Sequence, residues 1–239
     1  WTDDQARTLY PLGLPELVCD PEVFVPTQGS YLMWKMLFNS GAGKGKRCLD
    51  VGCGAGILTV QLALNGAEHV TAIDIQKEAV ANTLTNAFRN GVSDRAHGEV
   101  VDLYTFEAEK RYDIVVASLY QMPTDPVGEL RGHRPVDYWG RNLFDHLIGL
   151  LPQMLEDGGV AYLMQISLLS QVQTAQLLRK AGLVSRVIDF NLYNFSPVFL
   201  ENMEQIERVE ESSDAYHFTL HDEHVMVMYL LEVRRQKRT

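Results

Sequence analysis

The chain has 239 residues, 46% apolar and 22% charged, a size that holds one domain or at most two and buries a full core. That balance excludes collagen-like, disulfide-framework and disordered chains. With 21 Lys+Arg against 31 Asp+Glu the formal net charge is −10, which disfavours nucleic acid as a partner, since phosphate-backbone binders concentrate basic residues on one face.

Residues 1–40 read as an N-terminal cap segment with a helix around Tyr31–Phe38, and residues 41–239 as the main domain. Arg47–Val51 is a short apolar strand ending at glycines, Ile57–Asn65 a helix, His69–Asp74 a second strand, and Lys77–Asn90 a second helix closed by Gly91. Ala96–Val101 is a third strand. Tyr112–Ser118 is a fourth, with the continuous apolar run Ile114–Ala117 of a strand buried on both faces. A helix over Tyr138–Leu155, a strand over Val160–Ile166, a helix over Leu168–Lys180 and strands over Val184–Phe190 and Val225–Val233 complete the alternation. Strands alternating with helices predict an α/β fold. Residues 191–224 form a long insertion with an acidic helix over Asn202–Glu211; such a stretch in a compact domain is usually functional or disordered.

Cys19, Cys48 and Cys53 have no paired spacing, which suits a reducing compartment and argues against zinc. No run approaches the roughly 18 apolar residues of a membrane span. The N-terminal Trp1-Thr2-Asp3-Asp4 is neither a signal nor a transit peptide, and the missing start Met implies a processed or excised chain. These features predict a cytoplasmic protein without a membrane partner.

The chemistry concentrates in Asp50-Val51-Gly52-Cys53-Gly54-Ala55-Gly56, which follows a strand and opens a helix. Glycines let backbone approach a ligand there, and the helix N-terminus adds a favourable field. Asp74 ends the next strand, where a carboxylate accepts ribose hydroxyls. The dinucleotide fingerprint requires glycine where Ile57 stands, and no Lys-Ser/Thr pair of a phosphate loop follows. A carboxylate beside the loop repels pyrophosphate and suits a phosphate-free ligand with an ammonium group. S-adenosylmethionine is such a ligand.

Leu49–Ala63 (LDVGCGAGILTVQLA) with Val70–Ile75 (VTAIDI) resembles the class I S-adenosylmethionine-dependent methyltransferases. Ala79–Val92 (AVANTLTNAFRNGV) is similar to the second helix of the ribosomal-protein and release-factor subgroup, and Val23–Thr27 (VFVPT) is similar to a segment that there flanks the methionine end of the cofactor. The resemblance spans roughly residues 45–190. It implies a Rossmann-like fold, a seven-stranded, mostly parallel sheet with the last strand antiparallel and helices on both faces. It also implies cofactor contacts from Thr27, Asp50, Gly52, Gly54, Asp74 (ribose), Ile75 (adenine), Asp102 and Leu103 (adenine amino group) and Ser118 (facing the methyl).

Nitrogen-modifying members carry Asn/Asp-Pro-Pro-Tyr after the fourth strand; here Ser118-Leu119-Tyr120-Gln121 stands there. A replaced acceptor clamp points to a different acceptor. Tyr120 and Gln121 are expected to face it, with His133 in the loop 128–135 as a candidate base near neutral pH. His217, His221 and His224 lack the spacing of a zinc protease, so no metal is expected. In the family topology the insertion 191–224 emerges at the cofactor edge. Its Tyr193, Phe195, Phe199, Met203, Tyr216 and Phe218 suit a cover over an organic acceptor. The sequence therefore predicts a methyltransferase acting on a small organic molecule. The alternatives are a protein side chain, or a catalytically silent cofactor-binding partner subunit.

Overall fold

The computed structural model describes residues 14–125 and 137–236. Its strands are β1 (Arg47–Val51), β2 (His69–Asp74), β3 (Ala96–Val100), β4 (Tyr112–Ala117), β5 (Leu155–Ile166), β6 (Leu183–Asn194), β7 (Phe218–Leu220) and β8 (Glu223–Arg235). Its helices are α1 (Gln28–Ser40), α2 (Ile57–Leu64), α3 (Lys77–Arg89), α4 (Asn142–Met154), α5 (Gln171–Lys180), α6 (Pro197–Leu200) and α7 (Met203–Glu211). They build one sheet of order β3-β2-β1-β4-β5-β8-β6, with β7 paired to β8. The first five strands are parallel, and β8 runs antiparallel to both β5 and β6. The strand order reverses between β1 and β4, the switch point at which open α/β sheets bind ligands.

The central strands are buried because parallel pairing places them under helices on both sides. Cys48, Leu49, Val51, Val115 and Val116 lie in a core that also takes Leu32, Met33 and Leu37 from α1. Helices α1, α2 and α3 pack in sequence, and α4 packs with α5. Tyr193, Phe195 and Ile206 of the 191–224 stretch join the same core, with Phe199 and Met203 packed against it.

The mostly parallel sheet agrees with the expected fold, and the first four strands fall within a residue of their predicted bounds. The later elements depart for local reasons. The helix expected from Tyr138 starts at Asn142, because Asp137 accepts the N–H groups of Trp139 and Asn142 and folds the preceding residues into a turn. The helix expected from Leu168 starts at Gln171, where the Ser170 hydroxyl oxygen accepts the Gln173 N–H as an N-cap. β6 runs on to Asn194, and an eighth strand exists because His221 and Asp222, at φ 50° and 63°, close a two-residue hairpin between β7 and β8. Among the described residues no helix is long and apolar enough to cross a membrane.

Candidate functional site

A cavity of about 390 Å³ opens at the C-terminal ends of β1, β2 and β4. Val51 and Gly52 supply its wall after β1, Asp74 and Ile75 after β2, and Asp102, Leu103 and Tyr104 after β3. Leu119, Tyr120 and Met122 follow β4, and Asp137, Gly140, Asn142 and Leu143 close the wall before and in α4.

The glycine loop is held in shape from two sides. The N–H groups of Gly52 and Cys53 donate to the Ile73 carbonyl at 2.8 and 3.1 Å, and the Thr83 hydroxyl donates to the Gly54 carbonyl at 2.9 Å. Gly52 sits at φ 74°, and a Cβ there would stand 2.9 Å from Leu119 Cδ2, filling the cradle. Gly56, at φ 84°, would place a Cβ 2.9 Å from the Thr83 Cα, so α2 and α3 close only over glycine.

Asp74 accepts the Gly54 N–H at 3.1 Å on Oδ2 and the Gln76 N–H at 3.0 Å on Oδ1, which fixes its carboxylate on the cavity wall. Ile75 beside it is 64% exposed, an apolar face without a protein partner to cover it. Asp102 accepts the Tyr104 N–H at 3.0 Å and caps the turn Leu103–Thr105, which buries Leu103.

Asp50 lies behind the loop and is buried. Its Oδ2 accepts the Thr59 N–H at 3.0 Å and the Thr59 hydroxyl at 2.6 Å. Its Oδ1 is buried with no hydrogen-bond partner among the described residues. Burial pushes its carboxyl up to about 7, against the opposing pull of the Thr59 hydrogen bonds. An orphaned buried oxygen and a cradle closed to any side chain fit a ligand that brings a positively charged donor and no phosphate.

Five of the expected residues are not part of the cavity wall: Asp50 and Gly54, described above, and three others. Gln121 is buried, its Nε2 donating to the Met164 carbonyl at 2.6 Å and its Oε1 accepting the Ile166 N–H at 3.0 Å, so it ties the post-β4 segment to β5 instead of facing an acceptor. Ser118 is half-buried and outside the cavity wall, where Leu119 and Tyr120 stand. Thr27 is exposed at the N-cap of α1 and also outside the wall. His133 lies outside the described residues. Gly52, Asp74, Ile75, Asp102, Leu103 and Tyr120 do share the cavity.

Asp137 is the main residue the sequence reading missed. It is buried on the wall, accepting the Trp139 N–H at 3.1 Å and the Asn142 N–H at 2.6 Å. Burial raises its pKa, and the backbone N–H groups of Asn142, Trp139 and Gly140 oppose the rise. An Asp shortly before a helix is a turn-and-cap signal that could have found it. The wall thus carries Asp74, Asp102 and Asp137, and no Lys, Arg or His among the described residues. None of its residues comes from 191–224. The insertion instead reaches the rim through α7: the Gln205 Nε2 donates to the Tyr138 carbonyl at 2.9 Å, and Arg208 pairs with Asp125 at 3.3 Å. Within it, Glu210, His217 and His224 form a hydrogen-bonded chain, with links of 2.8 and 3.0 Å.

The sequence profile of the family described as ribosomal protein L11 methyltransferase (PrmA) matches residues 32–124. A protein of Methanocaldococcus jannaschii, named provisionally as a protein N5-glutamine methyltransferase, is 28% identical over 171 residues, covering 70% of this chain and 84% of its own. The ribosomal protein L11 methyltransferase of Tolumonas auensis is 39% identical over 110 residues, 45% of this chain and 34% of that protein. The chain thus spans most of the first relative and about a third of the second. The crystal structure of a ribosomal protein L11 methylase from Lactobacillus delbrueckii subsp. bulgaricus shares the fold, with a TM-score of 0.56 at 16% identity over 92% of this chain and 84% of that one.

Proposed function

Because this chain is a class I S-adenosylmethionine-dependent methyltransferase, we propose that it methylates a nitrogen of a protein side chain, and that this nitrogen is an amine. The cofactor supplies the methyl group on a sulfonium, which leaves the protein to align the nucleophile and manage its proton. We assign the ribose hydroxyls to Asp74, the adenine to the space between Ile75 and Leu103, and its amino group to Asp102. We assign the methionine end to Gly52, Gly54 and the orphaned Oδ1 of Asp50.

The expectation of a small organic acceptor is corrected. The two sequence relatives described above are named as protein methyltransferases, one for glutamine and one for a ribosomal protein. Of the aromatics that were to cover a small molecule, Tyr193 and Phe195 are buried in the core, Phe199 packs against it, Tyr216 is exposed, and none lines the cavity. A rim that α7 braces at Asp125 and Tyr138 suits an acceptor presented by a chain, and we assign the insertion that framing role.

The observation that carries the amine reading is the part of the wall left once the cofactor takes Asp74 and Asp102: the Asp137 carboxyl and the Tyr120 ring, with no basic group on the wall among the described residues. Carboxylates and aromatic faces recognise cations. An amine arrives as an ammonium and must lose a proton before its lone pair can attack. A buried carboxyl with a raised pKa, Asp137, is suited to take it. As the N–C bond forms, the S–C bond breaks and its electron pair stays on sulfur.

Incubation with radiolabelled S-adenosylmethionine and fractionated cell extract tests this reading. Label is expected in protein, on residues that mass spectrometry identifies as amines. Label confined to small molecules would overturn the protein acceptor, and label on side-chain amides would overturn the amine.

A further inference from the structure

Residues 14–20 form no strand, yet their backbone is paired as if they did, with a helix as the partner. The N–H of Glu16 donates to Asn90 Oδ1 at 3.0 Å, and Asn90 Nδ2 returns to the Glu16 carbonyl at 2.8 Å. The N–H of Val18 donates to Asn86 Oδ1 at 2.9 Å, and the Val18 carbonyl accepts from Asn86 at 2.8 Å and from Asn82 at 2.9 Å. The N–H of Asp20 donates to Asn82 Oδ1 at 3.3 Å. Two residues of extended chain advance about 6.6 Å and four residues of helix about 6 Å, so alternate residues of the segment meet every fourth residue of α3, in reverse order. Asparagine carries the amide donor and acceptor of a peptide bond, which lets the helix imitate the edge of a sheet.

The ladder touches the glycine loop directly. Asn86 Nδ2 donates both to Val18 and, at 2.8 Å, to the Ala55 carbonyl within the loop. Beyond the ladder, Val23 packs with Ala55 and Ala79, and the Phe24 carbonyl lies 3.8 Å from where a Cβ on Gly54 would stand. Phe24 and Val25 are 54% and 61% exposed, so little apolar burial holds this stretch over the loop. Asn82 and Asn86 are themselves buried, although helices place no intrinsic demand for asparagine there.

We propose that Asn82 and Asn86 are positioning residues for the cofactor: by docking residues 18–20 on α3 they hold residues 23–25 across the glycine loop, and the cofactor binds tightly only while this strap is in place. The proposal rests on the cofactor lying in that loop. Asn86 is its central rung, because one amide serves strap and loop together, and Asn90 is the peripheral one.

The test measures S-adenosylhomocysteine affinity by calorimetry and strap amide exchange by mass spectrometry in the full chain. Asn86→Ala is expected to weaken binding at least tenfold and to speed exchange across residues 16–25, while Asn90→Ala changes affinity less than threefold. Val18→Pro removes one rung from the strap side and leaves α3 intact, so it covers the case in which Asn86→Ala fails to fold; it is expected to weaken binding severalfold. Faster exchange with unchanged affinity in a folded variant would overturn the proposal, as would unchanged exchange. Failure of the unaltered protein to bind S-adenosylhomocysteine would instead overturn the placement of the cofactor.

Discussion

Asp50 shows what the site costs the empty protein. Its carboxyl is pushed up to about 7 by burial, so its protonated form favours folding. The folded pKa lies above the unfolded one. The associated stability is therefore complete below the ordinary carboxylate range and is lost as pH rises towards 7. Asp50→Asn is expected to stabilise the cofactor-free protein at pH 8, by up to about 4 kcal/mol, and hardly at all near pH 4. Denaturant melts at the two pH values check this. The same variant should weaken cofactor binding, since the neutral amide no longer attracts an ammonium. Asp137 carries the complementary prediction for catalysis. If it takes the acceptor proton, activity falls on the acid side as its raised pKa is crossed. Asp137→Asn should remove that limb of the kcat/KM profile and lower kcat by about 10²–10⁴-fold.

Between elements, the side chain of Gln121 is the strut that ties the segment after β4 to the end of β5. Gln121→Ala leaves the Ile166 N–H and the Met164 carbonyl buried without this partner. It should cost about 1–3 kcal/mol, read as a lower Tm, with a smaller effect on cofactor affinity than on kcat. Such a contact was not legible in the sequence, because its partners lie more than forty positions downstream. What was legible is local. The strand–glycine–helix unit from Arg47 to Leu64 and the strand ending at Asp74 follow from periodicity and spacing alone, and they put Val51, Gly52 and Asp74 on the cavity wall. The opposite part of the wall depends on how the start of α4 folds back on the post-β4 segment. There the sequence offered Ser118, Tyr120 and Gln121, of which Tyr120 lines the cavity, and it passed over Asp137. Asparagines at 82, 86 and 90 were in view as a repeat of four, but their partners stand more than sixty residues earlier.

For the whole molecule, the charge of −10 that disfavours nucleic acid takes on a positive meaning under the proposed protein acceptor. An acidic enzyme with an acidic cavity draws basic chains towards it, and ionic strength screens that attraction. The KM for a basic protein acceptor is expected to rise severalfold between 50 mM and 500 mM salt with kcat little changed, as steady-state kinetics would show. The sheet order has an effect of another kind. β8 is the last of the described strands to be synthesised, yet it lies between β5 and β6. During translation both neighbours emerge with an open hydrogen-bonding edge, and they stay so until residues 223–235 arrive to wedge between them. A nonsense mutation between the end of β6 and residue 223 should therefore do more than shorten the chain: it should yield a sticky product destined for aggregation or degradation.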